Sequence, residues 1–155
     1  MDGLYDRDFL LWAEAEAEKL RRLRAGERVN DVDWENLIEE VEALGRSEAR
    51  ATESLLSQAV IHILKVIAWP DARHRQHWMD EAFTSLSDAR SAHTPSMRQR
   101  LRLDRKFRDA RRRILADTYD GRPAGPLPES PWFTLDDLLD EEVQPEGLLA
   151  RAPRP

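Results

Sequence analysis

Apolar positions recur every three to four residues in four long stretches of the chain, and no sustained two-residue alternation interrupts them. The spacing predicts helices. The first covers about residues 5–23, with Tyr5, Phe9, Trp12, Ala13, Leu20 and Leu23 on one side, and Gly26 and Asn30 end it. The second begins at Asp33, an N-cap whose charge, with that of Glu35, suits the positive end of the helix dipole. It runs to about Ala68, where Pro70 disfavours helical geometry at Trp69. The third starts near Asp71 and carries Met79, Ala82, Phe83 and Leu86. Thr94-Pro95 opens the fourth, as N-cap and first-turn proline, and it ends near Tyr119.

Residues 120–131 are dense in Gly and Pro and read as a loop. Beyond it, Thr134 and Asp137 form a capping box for a short helical tail over 134–143, which Trp132 and Phe133 anchor to the rest. The terminal RAPRP is expected to fray. The fold class that follows is all-α: an antiparallel bundle of four long helices with a short C-terminal helix packed across it. A single domain over 1–155, with its core at about 4–119, fits a chain of 155 residues.

Composition narrows the function classes. With 35% charged and 41% apolar residues, five Trp among them, the chain has the balance of a soluble folded domain. It has no cysteine, which excludes disulfides, thiolate-bound metals and thiol nucleophiles. Acids precede the first apolar residues, so no signal peptide is expected, and no apolar run approaches the roughly 20 residues of a bilayer span. A cytoplasmic location without membrane attachment is the expectation.

On a wheel of the second helix, Trp34, Leu37, Ile38, Val41, Leu44 and Gly45 share a stripe with Leu55, Ala59, Ile63 and Val66. Glu35 and Glu39 fall opposite, and Glu40 and Glu42 on the flanks, which is the pattern of a solvated face. Glu48 and His62 lie on the stripe itself. They stand 14 residues apart, about 21 Å along the axis, so they share no ion. A buried carboxylate needs a partner, and an antiparallel third helix places Arg90 level with Glu48. A Glu48–Arg90 ion pair is therefore expected. Glu16 interrupts the stripe of the first helix, so one of the two acids, Glu16 or Glu48, is expected at a solvent-reached edge.

His74 and His77 point away from their helix's stripe and sit beside Arg73 and Arg75, which repel a cation; His93 lies at a helix end. G-x-S-x-G, H-E-x-x-H, P-loop and dinucleotide-binding patterns are all absent. No metal and no cofactor is expected.

Residues 98–113 hold nine Arg or Lys against two Asp within a chain of net charge −6. Leu103, Phe107, Ala110 and Ile114 form one apolar strip there, and Met97, Leu101 and Leu115 another. The arginines, Arg105, Arg108 and Arg112 included, fill the sectors between, so this is no single basic face. The acidic tail is a ready partner within the chain. The second strip needs a cover, either the tail or another subunit.

The run DWENLIEEVEALGRSEARATESLLSQAVIHILK resembles the core motif of the bacterial family called domain of unknown function twenty-nine. LYDRDFLLWAEAEAEKLRRLRAG resembles that family's opening helix. Trp78, the Thr-Pro-Ser-Met stretch and SPWFTLDDLLDEEVQPEG are similar as well, so the likeness covers about residues 4–147. It implies a mainly helical protein and carries over no catalytic residue. Where the family has an aromatic or Leu near the end of the second helix, this chain has Val66-Ile67-Ala68-Trp69-Pro70.

The sequence does not state a function. The leading expectation is a non-enzymatic protein-interaction module, self-associating or a regulatory, antitoxin-like partner, with a protein as its ligand. One alternative is a ligand- or metal-binding bundle enzyme built on Glu16, Glu48 and His62. Another is nucleic-acid binding through the arginines of the fourth helix, disfavoured by the net charge. Glu16, Glu48, His62, Arg90, Arg105, Arg108 and Arg112 are the candidate polar-core or interaction residues.

Overall fold

The structure is a computed structural model and describes residues 3–154. Its elements are helices α1 (Leu4–Arg7), α2 (Phe9–Arg24), α3 (Trp34–Ala68) and α4 (Arg75–Ala92), a 3-10 turn (Pro95–Arg100), α5 (Leu103–Leu115), strands β1 (Thr118–Tyr119) and β2 (Arg122–Pro123), and helices α6 (Leu135–Leu139) and α7 (Pro145–Ala150). The protein is all-α apart from the two short strands. Two compact units divide it, Met1–Ser47 and Glu48–Pro155, and α3 contributes to both.

In the first unit Asp8 interrupts the helix and caps α2, its carboxylate accepting from the Leu11 N–H at 3.0 Å. Gly26, at φ +86°, ends α2 in a left-handed turn that a side chain would strain. The Tyr5 hydroxyl donates to Glu40, and the Trp12 indole donates to Asp33 at 3.0 Å. Tyr5 thus meets Glu40 within α3 while the later Trp12 meets Asp33 just before it, so the helices run antiparallel.

The second unit holds the core. Ala59, Val60, Ile63, Leu64 and Val66 of α3 meet Ala82, Leu86 and Ala89 of α4, Phe107, Ala110 and Ile114 of α5, and Leu138 and Leu148 from the tail, all at most 3% exposed. The strip Phe107–Ala110–Ile114 is buried as its spacing predicts. Phe107 stands edge-on to both Trp132 and Phe133, with ring centroids 6.1 Å apart in each pair, so the aromatic anchor packs where expected. Thr134 and Asp137 cap α6 reciprocally at 2.8 and 3.1 Å.

Several boundaries differ from the periodicity, each for a local physical reason. The third helix begins at Arg75, because Trp69 to Ala72 forms a turn that buries Ala72. Thr94-Pro95 opens only the 3-10 turn: Leu101 leaves helical geometry and buries, the Arg102 N–H bonds Glu53 at 3.1 Å, and α5 starts afresh. Asp120 and Gly121, both at positive φ, make the two-residue turn of a β hairpin inside the expected loop. The Gly125 N–H bonds the Ala68 carbonyl at 2.9 Å, and a Cβ there would lie 3.0 Å from that oxygen. The Trp69 indole donates to the Arg122 and Pro123 carbonyls, which adds to the holding of this segment on the end of α3. The tail carries α7 beyond α6, with Pro145 at its first turn.

One 18-residue window of α3 reaches a mean hydropathy of 1.2 and is 44% buried. By length and composition alone this helix is long and apolar enough to cross a bilayer, although Glu53, Gln58, His62 and Lys65 interrupt its apolar residues. Its core-facing residues are what raise the hydropathy.

Candidate functional site

The largest departure from the wheel concerns α3. Its second half buries Ala59, Ile63 and Val66, but the first half leaves Trp34, Ile38, Val41 and Leu44 at 56, 57, 70 and 64% exposure. The stripe is continuous in sequence and covered only along its later part. Glu35, Glu39 and Glu42 are exposed as expected, and Glu40 is partly covered because Tyr5 donates to it.

Helical geometry extends this face onto α2. In an antiparallel pair the flanks of like rotation lie side by side. The polar contacts of Trp12 and Tyr5 define the side on which α2 and α3 meet. From that line, Phe9 and Leu20 of α2 turn to the same side as Leu37, Val41 and Leu44 of α3. Phe9 is 51% exposed and Leu20 37%. An apolar face thus covers one side of the first unit.

A polar anchor holds the face's two helices in register. Glu16, 3% exposed, accepts from Lys19 at 2.8 Å and from the backbone N–H of Asp33 at 3.0 Å. Lys19 also reaches the Asp31 carbonyl at 2.7 Å. The Glu16 carboxylate holds the Lys19 ammonium above its ordinary pKa. Asp33 accepts from Asn36 and from the Trp12 indole, which lowers its pKa. Buried Glu16 is thereby a fully partnered structural carboxylate that ties α2 to the start of α3.

The other candidate residues do not converge. Glu48 is exposed, and no ion pair joins it to Arg90. Arg90 instead donates from Nε to the Leu138 carbonyl at 2.8 Å and from a terminal nitrogen to the Val143 carbonyl at 2.7 Å, clasping the tail. Burial lowers its pKa. The expected pair is absent: Glu48 faces solvent, α4 starts at Arg75, a turn later than Pro70 implied, and the tail carbonyls take the guanidinium's donors. His62 is half-buried; desolvation lowers its pKa, and its Nδ1 has no hydrogen-bond partner among the described residues. His74 Nδ1 lies 2.9 Å from the Tyr119 hydroxyl, within an aromatic group that includes Trp69 and Trp78. Among the described residues no three His, Asp or Glu side chains gather as a metal would need.

The arginines after residue 97 are partly engaged within the second unit. Arg98 pairs with Asp136 at 2.6 Å, Arg112 with Asp109 at 2.8 Å, and Arg111 donates to the Pro128 carbonyl. Arg105 and Arg108 are exposed and line an open groove of about 780 Å³ with Leu101, Pro131, Phe133 and Leu135. Of the second strip, Leu101 is buried, Met97 accepts from the Thr52 hydroxyl at 3.5 Å, and Leu115 stays 42% exposed.

These features describe an all-α protein that leaves an apolar face exposed on the first half of α3. The chain belongs to the family described as domain of unknown function DUF29, whose model matches residues 4–143. It is similar to an alpha-helical protein of unknown function from Rhodospirillum rubrum, known from a crystal structure, with 27% identity and a TM-score of 0.72 over 99% of this chain and 100% of that one. No curated protein matches.

Proposed function

We propose that this protein is a non-enzymatic interaction module that binds another protein through the apolar face of its first unit. The observation that carries this is the run of four large apolar side chains on α3, each more than half exposed. Four such side chains expose on the order of 500 Å² between them, the size of the largest apolar patch on a monomer surface, which is often a functional one. Glu42 flanks the face and gives its apolar centre a charged edge, as in protein interfaces.

The test is capture with the purified protein and with its Val41→Glu variant, combined with light scattering of each alone. Val41 is 70% exposed, so the substitution leaves the fold intact. A complex, with itself or with another protein, that forms with the wild type and disappears with Val41→Glu is the expected result. A monomer that captures nothing sensitive to Val41→Glu overturns the reading.

A further inference from the structure

We infer that the occupant of this face is a second copy of the same chain, docked antiparallel along the first half of α3. The inference rests on the interaction-module reading and specifies its partner.

Gly45 supplies the first argument. It sits inside a helix, where glycine costs roughly 0.5–1 kcal/mol relative to alanine, and a Cβ built on it meets nothing within 4 Å. Its backbone is not among those at positive φ. Nothing in its own chain calls for glycine at this position. It lies on the exposed stripe, eleven residues after Trp34, and so offers a gap at one end of the stripe to match the bulk at the other.

That arrangement is self-complementary. Two copies laid antiparallel so that Trp34 enters the gap at Gly45 of the second copy also bring Ile38 against Val41 of that copy. One step round the helix, Leu37 faces Leu44. On the opposite flank Glu35 comes within two residues of the level of Arg46, whose guanidinium pairs with Glu42 of its own helix at 3.7 Å and keeps donors for a second carboxylate. Each contact occurs twice by symmetry. A parallel pairing would instead place Glu35 beside Glu35 and Trp34 beside Trp34.

The area supports a dimer too. The order of 500 Å² on α3, with the polar rim and the open half of Phe9, approaches the roughly 800 Å² per partner buried in stable interfaces. The α2 and α3 helices of the two copies together become a four-helix layer, which gives the sparse core of each unit the cover it lacks.

The experiment is sedimentation equilibrium of the full chain up to roughly 100 μM, a concentration that populates even weak specific dimers. Circular dichroism of each variant checks that helix content is kept. The wild type is expected to dimerise, and Val41→Glu to return the mass of one chain. Gly45→Leu is expected to raise helix stability while abolishing the dimer, a combination that no role within a single chain produces. Glu35→Arg and Arg46→Glu should each weaken the dimer about fivefold, and the double exchange should restore it. A wild type that stays monomeric overturns the inference and leaves the broader reading to the capture experiment. A dimer indifferent to Val41→Glu or Gly45→Leu, or a double exchange without rescue, overturns it as well.

Discussion

The two units treat the same helix in opposite ways. In the first, the buried residues among those described are Trp12 and Glu16, one aromatic and one carboxylate, and the helices are joined largely by polar contacts. In the second, α3 meets α4, α5 and the tail around a core that includes Ile63, Leu64, Leu86, Phe107 and Leu138, each completely or almost completely buried. Two amphipathic helices cannot enclose a core between them, whereas a third and a fourth helix close it. An apolar stripe therefore has different meanings in the two places: packing in one, and an unfilled contact in the other.

Paired substitutions on α3 test this contrast most strongly. Ile63→Ala should lower the stability of the fold by about 2–5 kcal/mol through the cavity it leaves, measured by chemical denaturation. Val41→Ala in the monomer should change it by no more than about 0.5 kcal/mol. Equal effects at the two positions would erase the distinction.

Next in size is the clasp of the tail. Arg90→Ala removes two charge-assisted hydrogen bonds to the Leu138 and Val143 carbonyls and should cost about 2 kcal/mol, with faster amide exchange confined to the tail. The corresponding polar anchor of the first unit is Glu16. Glu16→Ala should cost about 1–2 kcal/mol and loosen the start of α3, seen as faster exchange of the Asp33 amide.

The smallest effect is a pH dependence of the first unit. Hydrogen bonding to Glu40, reinforced by neighbouring acids, raises the Tyr5 phenol from 10.0 to about 12. The folded state thus favours the protonated phenol. The stabilisation is present in full below pH 10 and is lost as pH rises toward 12. Tyr5→Phe should remove that alkaline decline, followed by thermal melts across the range.

Much of the architecture was legible in the chain. The three-to-four-residue period marked the long helices, Pro70 marked the end of α3, and the Thr134–Asp137 box marked α6, because helix stops and caps are local chemistry. The hairpin at Asp120-Gly121 was legible too, since Asp-Gly between short extended segments is a strong turn signal, but the surrounding prolines concealed it. The break at Leu101 had no local signal: it follows from that side chain entering the core and from Glu53 reaching the Arg102 amide.

The candidate site separates along the same line. Glu16 stood out in the sequence as an interruption of an apolar stripe, but the backbone amide it binds comes from 17 residues away and no pattern names it. Arg90 was expected to pair with Glu48, whereas its guanidinium donates to two tail carbonyls that no sequence pattern names.

The order of side chains by itself determined that the protein is helical, where most helices begin and end, and which face of each is apolar, since these follow from propensity, capping and a period of 3.6 residues. Only the tertiary structure decided which stretch of each apolar face is covered. Burial depends on how many neighbours reach a given height along a helix, and a pattern that repeats unchanged from Trp34 to Val66 carries no record of where those neighbours stop.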